Sequence, residues 1–234
     1  MRLLKLFRRS KKIKIGLRCL ECGKTFTQRA DRLIYDLGTV ERKQRGEQVP
    51  FNEFFVPARV ICPRCQTEDR YVLNGWQYLR VSLALFWMRW IPPGPDSWFQ
   101  AVYLGTQDGR IMHPFELRAW YAERVARNPQ KAEWRLRYAN TLRSQGWAAE
   151  AEAQYRAALN LAPRQPEALI NLAVLLAQRG EKDEALKQLR LLAAIKPRNE
   201  KQRDQVSIAQ EVLNGTLPLD ELEISNPMLL LRRG

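Results

Sequence analysis

Apolar positions along residues 132–199 repeat. Set residues 132–165 above 166–199 and the pattern returns after 34 residues: Gly146 falls on Gly180, Ala151 on Ala185, Tyr155 on Leu189, Ala158 on Leu192 and Pro163 on Pro197. Each unit reads as a helix, a turn at Gly, a second helix and a stop at Pro. Gly takes the left-handed backbone at a helix end without strain. A small Ala early in the second helix lets two helices approach, and the larger side chain four residues on shares its face. Pro cannot continue the helix. A period of this length predicts stacked helical hairpins. Leu117, Tyr121 and Val125 give the apolar face of one earlier helix, a half-repeat over 113–131. Residues 200–214 read as a capping helix, with Val206, Ala209, Val212 and Leu213 apolar and Asn214-Gly215 as its stop.

Ahead of the repeats the pattern shortens to strand lengths. Strands are expected over 14–18, 25–28, 54–61 and 68–73, with added strands over 33–36 and 39–42 and an irregular loop to Phe51. Residues 74–91 are the most apolar stretch. We read them as a buried connecting helix; the alternative is an exposed aromatic surface for a partner or a bilayer interface. They are not a transmembrane helix, since the eight residues between Arg80 and Arg89 span only about 12 Å of a hydrocarbon core of about 30 Å. Ile91-Pro92-Pro93-Gly94-Pro95 is a rigid break. A strand over 98–104, a tight turn at Asp108-Gly109 and a returning strand over 110–112 follow, and Pro114 suits the first position of the next helix.

The repeat resembles the tetratricopeptide repeat. Its A-x3-[FY] followed by Pro appears as Ala151-x3-Tyr155 and Pro163, and more loosely as Ala185-x3-Leu189 and Pro197. The aromatic–Leu-Gly–Tyr half departs: Trp134 stands one residue early, Tyr138-Ala139 replaces Leu-Gly and Leu142 replaces Tyr, and the second unit has Leu169, Leu172-Ala173 and Leu176. These changes keep the size class.

The four cysteines change the picture at the N-terminal end. Cys19 and Cys22 form one C-x2-C pair, Cys62 and Cys65 another, with 39 residues between the pairs. Two thiolates two residues apart point at one ion, and Gly23 supplies the unusual backbone angle after the first pair, where the second has Gln66. Four thiolates satisfy tetrahedral Zn2+. With flanking strands, the arrangement resembles a zinc ribbon. A rubredoxin-like iron site uses the same paired turns and is the alternative metal; disulfides or a thiol redox pair suit two separate C-x2-C turns less well. With all four positions filled, the metal is expected to support folding and not catalysis.

The expected fold is therefore α+β and multidomain: a basic tail (1–15), a small antiparallel zinc-ribbon-like domain (16–75), an apolar connector helix and β-hairpin (76–112), a helical repeat solenoid (113–214) and a C-terminal tail (215–234) that folds back on the last helix or stays loose.

Charge adds candidate partners. The formal net charge is +14, and residues 1–80 hold 18 Lys and Arg against 8 Asp and Glu. Residues 1–15 carry seven cations, no acid and no apolar run of signal-peptide length. A single His, His113, excludes most hydrolase constellations, and no phosphate loop or open metal site stands in for one. An enzyme is not expected.

Stacked hairpins present a concave groove lined by the first helix of each unit. By register its positions are Glu133, Leu136, Arg137, Asn140 and Arg143, then Glu167, Ile170, Asn171, Val174 and Gln178. Some tetratricopeptide-repeat proteins clamp a peptide C-terminus, and their two Asn positions match Asn140 and Asn171; the clamp Lys is Leu136 here and the third unit is missing. The resemblance implies a cytoplasmic adaptor or scaffold that binds a protein or peptide, with Arg137 and Arg143 favouring acidic partners. The first alternative is a nucleic-acid-associated zinc-ribbon protein using the basic N-terminal region. The second is a peripheral membrane adaptor using residues 1–15.

Overall fold

The computed structural model describes residues 12–49, 52–88, 90, 97–105, 112–222 and 229–231. The basic tail up to residue 11, the Pro-rich break and all of the hairpin expected over 108–112 except Met112 lie outside the described residues. The architecture is α+β, in two compact units.

The first unit runs to Leu117 and also takes in Ser144–Gly146 and a C-terminal strand. Strands β1 (Ile13–Cys19), β2 (Thr25–Ala30), β3 (Leu33–Asp36), β4 (Phe54–Phe55), β5 (Tyr71–Leu73), β6 (Phe99–Gly105) and β7 (Leu229–Leu231) accompany helices α1 (Leu37–Gln44) and α2 (Gly75–Met88). One sheet is antiparallel with order β2-β1-β5; the other has order β4-β3-β6-β7. In the second sheet β3 and β6 run parallel, Leu33 opposite Phe99, while β6 and β7 are antiparallel. Both sheets face one core, in which Ile15 and Leu17 of β1, Leu33 of β3, Phe54 of β4, Tyr71 and Leu73 of β5 and Phe99 of β6 are all buried. Alternation along β1, with Ile15 and Leu17 buried and Lys14 and Arg18 exposed, is the period-2 signature of a sheet wet on one face.

Three expectations are corrected here. The strand expected over 39–42 is part of α1, because Asp36 caps a helix: its Oδ1 accepts from Gly38 N at 3.1 Å and its Oδ2 from Thr39 Oγ1 at 2.8 Å. The long strand expected over 54–61 stops at Phe55, as Pro57 carries no N–H for a ladder; Ile61 makes only a single bridge with Glu68. The connecting helix α2 buries Gln77 and Val81 but leaves Trp76, Leu79, Leu83, Phe86 and Trp87 exposed.

His113 is buried between the Phe55 and Phe115 rings, edge-on to both, and its Nδ1 accepts from Phe115 N at 3.3 Å. Burial first, and then the Arg42 and Lys43 charges, push its pKa down from 6.5 to about 3. The fold therefore favours the neutral ring. That contribution is complete above about pH 6.5 and is lost on acidification toward 3, at about 1.4 kcal/mol per pH unit. A His113→Asn variant is expected to show a shallower fall in melting temperature between pH 7 and pH 5 than the wild type. Equal slopes would place the acid sensitivity elsewhere.

The second unit, from Arg118, is helical. It holds most of α3 (Pro114–Arg127), α4 (Ala132–Ser144), α5 (Ala148–Leu161), α6 (Pro166–Gln178), α7 (Lys182–Ala193) and α8 (Glu200–Leu213). The starts of α4 and α6, and those of α5 and α7, are each 34 residues apart. Gly146 and Gly180 take φ of 82° and 84°. Ala151, Tyr155 and Ala158 are fully buried, and so are their counterparts Ala185, Leu189 and Leu192. Pro166 opens α6, where a missing N–H costs nothing. From Ala168 to Leu176 α6 is buried throughout, and it packs against α5, α7 and α8. Asn199 caps α8, accepting from Gln202 N at 2.9 Å. The tail turns back at Gly215, and Leu217, Leu219 and Leu222 join the apolar core of α6, α7 and α8.

Candidate metal centre and the repeat surface

Register brings the two cysteine pairs together. Antiparallel pairing of β1 with β5 sets Cys19 opposite Tyr71, so the turn after β1 faces the turn before β5. The two turns share one hydrogen-bond pattern. Gly23 N donates to Cys19 O and Cys19 N to Lys24 O; Gln66 N donates to Cys62 O and Cys62 N to Thr67 O, all at 2.9–3.1 Å. Gly23 has φ 70° and Gln66 has φ 58°, so both turns close through a left-handed residue. Only the first uses Gly there. A Gly23→Val change is expected to cost about 1–2 kcal/mol, read as a lowered melting temperature, whereas Gln66→Gly should be neutral or stabilising.

The four sulfurs lie within 4.8 Å of one another. Cys19 Sγ is 3.6 Å from Cys65 Sγ, and Cys22 Sγ is 3.5 Å from Cys62 Sγ. Tetrahedral ligation with bonds of about 2.3 Å places sulfurs about 3.8 Å apart, so the arrangement fits one metal ion. All four thiols are free. Arg64 N lies 3.5 Å from Cys62 Sγ, and Thr67 Oγ1 lies 3.2 Å from Cys65 Sγ. Hydrogen bonds from the Thr67 side chain and backbone lower the Cys65 thiol to about 6, and the Cys65 and Arg64 backbone amides lower Cys62. Cys22 is held at about 11: the backbone hydrogen bond at Lys24 lowers it, but burial and the neighbouring thiols outweigh that. Four thiolates at this spacing repel one another unless a cation sits among them. Four sulfur donors fill a tetrahedral shell and leave no position for a substrate. The Thr67 contact was not anticipated; its signal is a hydroxyl two residues past the second Cys.

Tyr71 fixes the approach to the second turn. Its hydroxyl accepts from Val56 N at 3.0 Å, Asn52 Nδ2 donates to its carbonyl at 2.7 Å, and burial raises the phenol well above its ordinary pKa.

In the helical unit the ten positions expected to line a groove divide in two. Leu136, Ile170 and Val174 are in the apolar core. Asn140 and Asn171 are buried and committed to each other. Asn140 Oδ1 accepts from Asn171 Nδ2 at 2.7 Å and from Tyr155 Oη at 2.6 Å, while Asn140 Nδ2 donates to Glu167 Oε1 at 2.9 Å. The other Glu167 oxygen pairs with Lys201 at 2.6 Å. This chain ties α4, α5, α6 and α8 together. Glu133, Arg137, Arg143, Glu167 and Gln178 keep solvent exposure. Arg137 bonds Glu133 at 2.7 Å and its guanidinium lies 5.6 Å from the Trp134 ring centroid; Arg124 and Lys131 also approach that ring, at 5.0 and 5.1 Å.

Arg143 stands apart from these satisfied groups. Its Nε and Nη2 are screened from water, and among the described residues neither has a hydrogen-bond acceptor. It lies beside the Tyr155 phenol, which burial pushes up to about 12 against the lowering effect of Arg143. A buried polar neighbour missed by sequence reasoning is Glu152, whose carboxylate bridges Arg156 and Arg179.

No helix among the described residues is long and apolar enough to cross a membrane. The sequence matches no known family model and no curated protein.

Proposed function

We propose that the chain is a non-enzymatic cytoplasmic adaptor in which tetratricopeptide-type repeats bind an acidic protein segment, while a zinc ribbon stabilises the N-terminal unit. Arg143 carries this reading. Two of its guanidinium nitrogens, Nε and Nη2, are shielded from water with no acceptor among the described residues, and beyond them the group has the Tyr155 phenol beside it, so it is under-satisfied. A carboxylate is the natural complement of its planar fork. Arg137, six residues earlier on α4 and about 120° around it, is a second cation that keeps solvent exposure. Asn140 and Asn171 play an internal part in this account: they hold the helices that present the arginines. Zinc is the ion favoured by an all-thiolate tetrahedral shell of this type, with iron as the alternative.

Fluorescence anisotropy with labelled peptides tests the site. Acidic peptides with a free carboxyl terminus are expected to bind the wild type more tightly than amidated, neutral peptides of equal length. Arg143→Gln should weaken the acidic peptides about 10-fold or more and leave the neutral ones unchanged. Equal binding by both proteins would remove Arg143 from the site.

A further inference from the structure

We infer that the open face of α2 docks on an anionic lipid bilayer surface. Two sides of this helix are apolar. One carries buried Val81, with Ala84, Leu85 and Met88 packed on the core. The other carries Trp76, Leu79, Leu83, Phe86 and Trp87, all exposed, and Trp90 just past the helix end is exposed as well: Trp76 at 78%, Trp90 at 71% and Phe86 at 64%. At 3.6 residues per turn the five helical positions fall within an arc of about 100°. A contiguous aromatic and aliphatic strip of this width marks an interaction surface.

Composition and charge select the occupant. Three of the seven Trp in the chain are here, and Trp is the side chain that settles at the headgroup level of a bilayer. No Asp or Glu occurs between Asp69 and Asp96, while Arg80 within the helix is exposed. A second copy of the same face would bring cation against cation with no acid to offset it. The sheet of the same unit adds to the sign. Lys14 and Arg29 are directly opposite on β1 and β2, both exposed, and Arg18 follows four residues along the same face of β1. The helix of 14 residues is about 21 Å long, short of the roughly 30 Å hydrocarbon core, so it lies in the interface and does not cross it.

Co-sedimentation of the full chain with vesicles tests this docking. The vesicles are phosphatidylcholine alone or with about one-third phosphatidylserine. The first variant carries Leu79→Ser, Phe86→Ser and Trp87→Ser; the second, Trp76→Ser and Trp90→Ser, shares no position with it. All five side chains are exposed, so both variants should keep the wild-type circular dichroism and melting temperature. The wild type is expected to sediment with the anionic vesicles, with a blue shift of Trp emission, and each variant to lose about 100-fold in partitioning. Four results would overturn the inference. These are no vesicle binding by the wild type; undiminished binding by folded variants; binding abolished by removal of residues 1–11 but not by either variant; or a wild-type dimer dispersed by the same substitutions. The third would assign the contact to the N-terminal tail, and the fourth would make a second copy the occupant.

Discussion

Removing the metal from the four thiolates should unfold the N-terminal unit and leave the helical repeats standing. The unit's core is modest, and its two sheets are joined through short strands: β4 has two residues and β5 has three. Pairing of β1 with β5 is extended by the cysteine turns, since Leu20 N donates to Arg70 O at 3.0 Å just beyond the last strand pair. Structural zinc contributes about 10–16 kcal/mol in small domains at neutral pH, comparable with or larger than the whole stability of about 5–15 kcal/mol expected of a domain. Without a cation the thiolates either repel or take up protons, and in both cases the turns lose the centre that fixes them. Circular dichroism after chelation should therefore show loss of the β contribution and of near-ultraviolet Tyr and Trp signals from the first unit, with helical ellipticity largely kept. Cys62→Ser should reproduce that spectrum without chelator. A melting temperature unchanged by both treatments would show that the site is dispensable.

Asn140→Ala is expected to be the most damaging single polar change in the repeats. One amide serves three partners: Tyr155 Oη and Asn171 Nδ2 lose their acceptor, and Glu167 loses a donor. Tyr155 is completely buried and Asn171 nearly so, so water cannot replace the lost bonds without opening the core. Each orphaned buried group costs about 1–3 kcal/mol. The expected loss is about 3–5 kcal/mol, or on the order of 10–20 °C in the melting temperature of this unit. Tyr155→Phe removes one bond of the same chain and should cost about 1–2 kcal/mol. Thermal denaturation of the two variants and their combination checks the account, because members of one network should be strongly non-additive. Additive losses would mean that the bonds act independently.

The helical half was legible in the sequence because its signals are local and recur. Gly146 and Gly180 need left-handed φ, Ala151 and Ala185 need small size, and the apolar run from Ala168 to Leu176 needs burial on all sides. The clustering of the four cysteines was legible for a similar reason: a C-x2-C turn encodes its own geometry, and the two turns meet where β1 pairs with β5. Other features depend on partners far apart in sequence. Parallel pairing of Leu33 with Phe99, and of β6 with the C-terminal strand β7, leaves no periodic trace. Helix α1 carried a readable cap in Asp36 and Thr39, but Thr39 and Val40 also suit a strand, and the cap decided the outcome. Apolar side chains on both sides of α2 say that it is helical, but not which side is covered. Asn140 and Asn171 fit a ligand site and an internal bond equally well by register; only the side-chain directions separate the two.

The proposal that the repeats hold a protein partner is tested most directly by capture from nuclease-treated lysate, with wild-type chain and Arg143→Glu as baits. Arg143 lies beside Tyr155, a member of the Asn140 network, so the baits are first matched by circular dichroism and melting temperature, with Arg143→Gln as a second variant bait that removes the charge without reversing it. A protein retained by the wild type after nuclease treatment and lost by the charge-reversed bait is the predicted result. Nucleic acid recovered equally by all baits, with every captured protein released by nuclease, would contradict the account and move the binding function to the basic N-terminal unit.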